Sequence, residues 1–257
     1  MRYVLVSHEQ HRGFGFQAEK PFVFASRLDF LPLSFEEIPR LNGVFPLCFK
    51  QVGEQLEFGI PCHFVAQNNA LVHPLNGKFL LPYVPAVLRR YPFQLLSLPN
   101  QTLALAVLES ETAFAAGRGQ AIVDEAGQLT EKGQHLQRFL VSLHQSFARL
   151  QQALVLIKSL NVLRPIQFAL PEGSTLQGRT DLYHIDQEAF LRLPAETLKA
   201  LQTSGAMTLI YANLLNANLM PRLPKVVEAF SKLNQELQKR SDLQKMFDDD
   251  DNDSLQF

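Results

Sequence analysis

Apolar residues recur at three- and four-residue intervals in the second half of the chain, which is the strongest pattern in the sequence. The repeat continues for about eight turns, as expected of one long amphipathic helix. Thr130 is a suitable N-cap, Glu131 places an acid in the first turn, and Pro165 marks the exit. The apolar positions of this predicted helix are Leu136, Phe139, Leu140, Leu143, Phe147, Leu150, Leu154 and Ile157.

The first half of the chain has a different pattern, with short runs rich in Val, Phe and Leu that are typical of strands. Residues 2–6 and 22–30 are predicted strands, and the second run alternates apolar with small or polar residues. VFPLCFK and QLEFGIPCHFVA flank the polar QVGE, which predicts a β-hairpin with a glycine in its turn. FQLLSL, TLALAVLE and QAIVD predict three further strands.

Capping and proline signals predict short helices between these strands. Ser34 and Glu37 have the spacing of a capping box, so a short helix should begin there and stop before Pro39. PAVLRRY predicts one or two helical turns, with Pro85 at the first helical position and Pro92 after the end. The preceding segment, NNALVHPLNGKFLLPYVP, is predicted to be an ordered loop with at most short strands.

After the long helix the chain is predicted to return briefly to strand structure, over IQFAL and STLQGRTDLYHID. Three helical pieces should follow, at about 187–192, 194–216 and 223–245. Asp186 precedes the first of them and is a suitable N-cap.

These elements indicate an α+β fold in which a β-rich portion, residues 1–125, packs with a helix-rich portion, residues 126–247. With 257 residues and 46% hydrophobic content, the chain has enough apolar material for a sizeable core. No repeat and no linker divides it, so we expect a single domain over residues 1–247. Residues 248–257, DDDDNDSLQF, are predicted to form an acidic disordered tail.

Charge and hydropathy limit the classes of partner. Lys and Arg number 24 against 25 Asp and Glu, a net charge of −1, so no global field favours nucleic acid or an anionic membrane. The most apolar later stretches, 150–163 and 205–220, are interrupted by polar residues and fall short of a membrane span. The N-terminal MRYVLVSHEQHRGF turns polar early and resembles no secretory signal. We therefore expect a soluble, cytoplasmic protein.

Familiar catalytic and cofactor motifs are missing from the sequence, so no cofactor and no metal site is predicted. Cys48 and Cys62 lack the spacing of a zinc site and are expected to be buried thiols. His135 and His144 are nine residues apart on the predicted long helix. At 3.6 residues per turn they point in opposite directions and cannot form one site.

Arg89 and Arg90 are the most conspicuous charges, because they lie in an apolar, proline-rich segment. Two adjacent guanidiniums repel each other unless carboxylates, carbonyls or an anionic ligand offset the charge. In the structural interpretation, one arginine ties loops together by binding carbonyls or a buried carboxylate. In the functional interpretation, the pair forms an anion or peptide-carboxylate site with the hydroxyls of Tyr83 and Tyr91, and His73 nearby.

The acidic tail also has two interpretations. It can be a solvated, disordered terminus, as acidic low-complexity ends commonly are. It can instead be a docking peptide whose acids and terminal carboxylate are bound by a basic pocket with an apolar slot. The docking residues would then be Asp248, Asp249, Asp250, Asp251 and Phe257.

The segment LLPYVPAVLRRYPF resembles the YIPAYLRRYPF-type core of the bacterial SapC family, which is unrelated to the peptide-transporter permease of the same name. FPLCF, AIVDEAGQLT, LYHIDQEAFLRL and GAMTLIYANLLNANL follow in the order of that family. The resemblance implies a role linked to surface-layer formation or export, and it transfers no catalytic residue. Lys78 and Phe79 stand where the family often has Trp, and Asn213 stands where it often has His. A site built on that histidine would be missing here.

Two functional hypotheses from different classes follow. In the first, this is a non-enzymatic binding or accessory protein that takes a protein or peptide partner through the Arg-Arg region, the acidic tail or both. In the second, it is an enzyme or an enzyme's partner. That enzyme would act on a peptide or small anion in a pocket lined by Arg89, Tyr83, Tyr91 and His73.

Overall fold

The computed structural model describes residues 2–7, 9–17, 22–65, 68–73, 76–99, 101–109, 111–167 and 179–222, with residues 225, 228, 229, 232, 233 and 236. The strands in these residues are β1 Tyr3–Leu5, β2 Phe14–Phe16, β3 Phe30–Pro32, β4 Cys48–Val52, β5 Gln55–Pro61, β6 His63–Val65, β7 Asn68–Asn69, β8 Phe93–Ser97, β9 Leu103–Leu108, β10 Phe114–Ala116, β11 Gln120–Ala121, β12 Leu163–Pro165 and β13 Leu182–Ile185. The α-helices are α1 Ile38–Leu41, α2 Ala86–Arg89, α3 Glu131–Ser159, α4 Gln187–Leu191, α5 Ala195–Thr203 and α6 Ala206–Asn216. Short 3-10 helices cover Val23–Ala25, Phe35–Glu37 and Ala217–Arg222.

The largest sheet has five antiparallel strands in the order β12-β13-β4-β5-β3. Its centre is the β4–β5 hairpin, whose register runs from Cys48 opposite Gly59 to Val52 opposite Gln55. Gly53 makes the turn with a φ of +56°, a left-handed conformation that glycine adopts without steric cost. The structure therefore confirms the predicted hairpin and its glycine turn.

Two smaller antiparallel sheets, β1-β9-β8 and β10-β2-β11, form a second layer of strands. The sequence predicted β1, β8, β9 and β11 but gave no sign that β2, a three-residue strand, would be the middle of a sheet. β6 and β7 form a separate two-stranded pair.

Helix α3 connects the two layers, because it packs against both hydrophobic cores. Its 29 residues span about 43 Å at 1.5 Å per residue. The N-terminal half contributes Leu140 to a core that contains Phe93 and Phe114, beneath the two small sheets. The C-terminal half contributes Leu150 and Ile157 to the core beneath the five-stranded sheet. The predicted N-cap is confirmed, since the Thr130 hydroxyl accepts a hydrogen bond from the Gly133 backbone N–H at 3.1 Å.

The strand predicted over residues 22–30 is wrong. Successive i to i+3 hydrogen bonds, including Ala25 N–H to the Phe22 carbonyl at 3.0 Å, form a 3-10 turn there, and strand β3 begins only at Phe30. Tertiary contacts override the alternating pattern, because the Phe24 ring stacks on Tyr91 with centroids 3.6 Å apart, and Ala25 is fully buried.

Three predicted helix boundaries also need correction. The capping box at Ser34 is present, but the chain continues past Pro39, which lies in the first turn of α1, where a missing N–H costs nothing. Pro85 is the N-cap of α2 and not its first helical residue. The piece predicted at 194–216 is two helices, because Gly205, at a φ of +78°, breaks it between α5 and α6.

The structure confirms the α+β fold class, with a β-rich N-terminal half and the long helix α3 in the C-terminal half. Asp186 caps α4 as predicted, with its carboxylate accepting from the backbone N–H groups of Glu188 and Ala189. The six described residues between 225 and 236 are helical, and the rest of the predicted helix 223–245 lies outside the described residues. The single-domain boundaries, 1–247, stay a prediction.

Candidate functional site: a basic cleft beside Arg89

The LLPYVPAVLRRYPF segment is anchored by a carboxylate that is distant in sequence. Glu37 is only 3% exposed and accepts two hydrogen bonds at Oε2, from the backbone N–H and the hydroxyl of Ser34, both at 2.8 Å. Its Oε1 atom accepts from the Tyr83 hydroxyl at 3.0 Å and from the Ala86 backbone N–H at 2.5 Å. One buried carboxylate therefore holds the start of α2 to the capping box before α1.

Arg89 lies at the last position of α2, against the same group of residues. Its Nε donates to the Val84 carbonyl at 3.0 Å and its Nη2 to the Tyr83 hydroxyl at 2.9 Å, while Nη2 is 3.8 Å from Glu37 Oε1. The guanidinium also lies 5.2 Å from the ring centroid of Phe139 on α3, within the range of a cation–π contact. Arg89 thus has the carbonyl and carboxylate partners that the structural interpretation requires, yet 44% of its side chain is exposed.

The exposed side of Arg89 borders a cavity of about 320 Å³ between α2, the small sheets and the first turns of α3. We call this cavity the basic cleft. Its walls carry three basic side chains and Tyr91 over a floor that is otherwise apolar. The lining residues are Phe16, Arg89, Tyr91, Phe93, Ile122, Lys132, His135, Leu136 and Phe139.

Helical spacing places four α3 residues in the basic cleft. Lys132, His135, Leu136 and Phe139 occupy positions i, i+3, i+4 and i+7, which share one face of a helix. Lys132 Nζ donates to the side-chain oxygen of Gln120 at 2.8 Å, a neutral partner that leaves the ammonium charge in place. No Asp or Glu is among the described residues that line the cleft, so its charge is positive.

A second cavity, of about 300 Å³, lies on the other side of Arg89. Arg89 and Phe139 line both cavities and therefore separate them. The second cavity has mixed charge, with Glu36, Glu37 and Arg40 among its lining residues. Its acids make it less suited to an anion than the basic cleft.

The two tyrosines predicted as site residues have hydroxyls that are already bonded. The Tyr91 hydroxyl donates to Glu111 at 2.6 Å, and burial together with that carboxylate raises the tyrosine pKa. Tyr83 lines the second cavity, and burial and the Glu37 carboxylate raise its pKa as well. Only the Tyr91 side chain borders the basic cleft.

The other predicted site residues lie elsewhere. Arg90 is half-buried, borders neither cavity, and makes no side-chain hydrogen bond or ion pair with the residues that the structure describes. His73 lies in the loop before α2, where its backbone exchanges hydrogen bonds with Lys78 and Gly77, and it is not among the described residues that line either cavity. The tail residues Asp248–Asp251 and Phe257 lie outside the described residues.

Sequence reasoning missed Lys132, His135 and Phe139 as neighbours of Arg89. Their spacing on one face of the predicted helix was a visible signal, but nothing in the sequence shows which element that face meets. It also missed Glu37 as the anchor of the Arg-Arg segment. The capping box identified that carboxylate as a helix cap and gave no sign of its contacts with Tyr83 and Ala86.

Cys48 and Cys62 are free and fully buried, as predicted, and burial raises the pKa of both thiols. In the part of the chain that the structure describes, no three His, Cys, Asp or Glu side chains form a group that could hold a metal ion. Among the described helices, none is both long and apolar enough to cross a membrane.

Comparison with known protein families identifies a family for this chain. Searches of curated proteins and of solved structures find no significant similarity. The SapC family profile matches residues 6–223, from just after β1 through the last 3-10 helix. That range contains the Arg-Arg segment, α3 and every described residue of the basic cleft, and it ends before the acidic tail. The chain belongs to the SapC family.

Proposed function

We propose that this protein is a non-enzymatic binding protein, and that the basic cleft binds an acidic segment of a protein or peptide partner. One observation carries the proposal: Arg89, Lys132 and His135 surround an apolar floor, with no carboxylate among the described lining residues. A peptide that carries a carboxylate beside an apolar side chain has the complementary chemistry. A role in surface-layer or exported-protein handling remains a prediction from the family resemblance.

The size and floor of the cleft favour one short part of a partner. A cavity of about 320 Å³ is at the lower end of the range for ligand pockets, so it has room for one or two side chains. Phe16, Phe93 and Phe139 line the floor. Contact between an aromatic side chain and such rings is worth about 0.5–1.5 kcal/mol beyond the buried area.

Arg89 is suited to hold the carboxylate because it is already fixed in place. The bonds to Val84 and Tyr83 use Nε and Nη2, and Nη1 makes no hydrogen bond with the described residues. A guanidinium has five N–H donors, so several remain for a ligand. Binding through a group that is already ordered loses little side-chain entropy.

The test measures fluorescence anisotropy of a labelled hexapeptide, Asp-Asp-Leu-Phe-Asp-Asp, at about 20 mM salt, where charge attraction is weakly screened. Lys132→Met should weaken the intrinsic affinity of the cleft for the peptide about tenfold, the value of one charge-assisted contact. The matched control is Arg138→Met, which removes an exposed charge from the same helix outside the cleft. A peptide with Asn in place of Asp should bind weakly to every variant.

The titration is run on the wild-type chain and on a full-length variant with Asp248, Asp249, Asp250 and Asp251 changed to Asn, because these acids have the same charge as the probe. The proposal fails if neither protein binds the acidic peptide, or if Lys132→Met and Arg138→Met bind it equally. Mass spectrometry of the recovered peptide tests the enzymatic alternative. A cleaved or modified peptide would overturn the non-enzymatic part of the proposal.

A further inference from the structure

We infer that the acidic tail of this same chain, residues 248–257, occupies the basic cleft and competes there with the partner. The inference rests on the proposed function, since it uses the same cleft and the same ligand chemistry. It adds a means of regulation within the chain. The tail would occupy the cleft in the isolated protein, and an external acidic segment would bind only after the tail dissociates.

Charge is divided between the tail and the rest of the chain. The whole chain has a net charge of −1, and the tail holds five Asp and no Lys or Arg, so the remaining 247 residues carry +4. Two apolar residues, Leu255 and Phe257, follow the acids in the tail. Acids followed by a leucine and a phenylalanine match a cleft that has basic walls and a phenylalanine-lined floor.

Lys132 and Arg89 keep most of their charge available for such a ligand. Lys132 is bonded to a neutral amide, and the His135 side chain makes no hydrogen bond with the described residues. Arg89 lies 3.8 Å from Glu37, but that carboxylate already accepts four closer hydrogen bonds. An incoming carboxylate would therefore meet the Lys132 ammonium, which forms no ion pair with the described residues, and the unused N–H donors of Arg89, whose ion pair is with Glu37.

The chain is long enough for the tail to reach the cleft. The last 3-10 helix ends at Arg222, 26 residues before Asp248. Those residues span about 40 Å as a helix and about 85 Å when extended. A folded body of about 220 residues has a radius of gyration of about 17 Å and hence a diameter of about 45 Å. With ten further residues in the tail itself, either conformation can bring the tail to the cleft.

Tethering makes even weak binding effective. A ligand on a linker of this kind has an effective concentration in the millimolar range. If the tail binds with an intrinsic Kd of about 0.1 mM, the ratio of occupied to empty clefts would then be about ten. An external peptide would bind about tenfold more weakly to the wild-type chain than to a chain with an uncharged tail.

The first experiment repeats the hexapeptide titration with four full-length proteins: wild type, the Asp248–Asp251 to Asn variant, Lys132→Met and the combination. Changing four of the five tail acids to Asn should tighten binding up to about tenfold, and the same change should tighten it only about twofold when Lys132 is already Met, because the tail then also binds about tenfold more weakly. The matched control, Glu9→Gln with Glu196→Gln, removes exposed acids outside the tail and should leave the Kd unchanged.

The outcomes separate the two proposals. If wild type and the tail variant bind the peptide equally, while Lys132→Met weakens both, the tail inference is overturned and the proposed function stands. If no protein in the set binds the peptide, the proposed function fails and the tail inference fails with it.

A second experiment locates the tail directly. Cys48 and Cys62 are buried and burial raises their thiol pKa, so spin labels should attach only to introduced cysteines, here Ser254→Cys and Arg138→Cys. Double electron–electron resonance should give a narrow distribution of distances between the two spin labels at low salt. The distribution should broaden at about 1 M salt, where the Debye length is only about 3 Å and charge attraction is screened. A distance distribution that does not change with salt would overturn the inference. The same distances in a mixture of chains that each carry one label would also overturn it, because they would show that the tail binds a different chain.

Discussion

Arg89 and Glu37 carry opposite charges 3.8 Å apart, and the Tyr83 hydroxyl joins them. The hydroxyl accepts from Arg89 Nη2 at 2.9 Å and donates to Glu37 Oε1 at 3.0 Å. The Tyr83 hydroxyl therefore uses its one proton and one lone pair in these two bonds. The bonds hold the Arg89 guanidinium beside the basic cleft, while the buried Glu37 carboxylate is not part of the cleft lining. The stability of the Arg-Arg segment and the charge of the cleft are therefore determined by one group of residues.

Replacing Glu37 should destabilise the protein more than the same replacement at the neighbouring Glu36. Glu37→Gln keeps the shape, but its NH₂ group would face either the donors of Ser34 or those of Tyr83 and Ala86, so we expect a loss of about 3 kcal/mol in the free energy of unfolding. Urea unfolding measures the loss. The control is Glu36→Gln, whose exposed ion pair with Arg149 should contribute less than about 1 kcal/mol. Equal effects would contradict an anchoring role for Glu37.

Gly133→Ala should destabilise the protein, although alanine is the better helix former by about 1 kcal/mol. A Cβ atom at this position of α3 would lie 2.3 Å from the Ile122 carbonyl oxygen, so the helix and the segment that follows β11 would have to separate. We expect a net loss of about 1–2 kcal/mol, because the strain exceeds the gain in propensity. Thermal unfolding measures it, and His144→Ala on the exposed face should be neutral or slightly stabilising. A more stable Gly133→Ala protein would show that the close packing is not required.

Asn213 lies on α6, and its side-chain amide connects two other parts of the chain. Its Oδ1 accepts from the Ile185 backbone N–H at 2.7 Å, and its Nδ2 donates to the Leu47 carbonyl at 2.8 Å, in a site that is 2% exposed. Asn213→Ala would leave both backbone groups buried without a partner, at a cost of about 2–4 kcal/mol. Denaturant unfolding measures this, and the exposed Asn218→Ala is the control. A loss no larger than that of the control would contradict a structural role.

His11 should make stability depend on pH. Burial lowers its pKa from the ordinary value of 6.5, and its Nδ1 accepts from the Ser7 backbone N–H at 3.1 Å, as only the neutral ring can. The unfolded chain binds the proton more readily, so this contribution is complete above about pH 6.5 and is lost as pH falls through the lower folded pKa. His11→Asn should flatten the dependence of unfolding free energy on pH in this window, whereas the exposed Asn218→Ala, which removes no titratable group, should not. Parallel curves for wild type and His11→Asn would disprove the linkage.

Local patterns in the sequence predicted much of the fold. The apolar repeat and Thr130 identified α3, the QVGE turn identified the β4–β5 hairpin, and Asp186 marked the start of α4. Each of these features depends on interactions between residues a few positions apart, such as a cap and the N–H three residues later. Such interactions can be predicted from the spacing of the residues along the chain.

The sequence predicted the site only in part. It singled out Arg89 by its unusual setting and proposed Tyr91 beside it, and both border the basic cleft. It placed Tyr83 and His73 in the same pocket, whereas the described lining of the cleft contains neither. Lys132 and His135 are more than 40 residues from Arg89 along the chain, so no local spacing relates them.

The α+β class, the long helix, the hairpin and the SapC family can all be recognised from the amino-acid sequence. Three other features depend on how the chain packs: the turn where a strand was expected at 22–30, the contact of Glu37 with the start of α2, and the addition of Lys132 on α3 to the Arg89 site. The residues involved in these features are far apart along the chain. Periodicity shows which face of a helix or strand is apolar, and capping shows where a helix begins. Neither shows which other element packs against that face, because that depends on how distant segments of the chain come together.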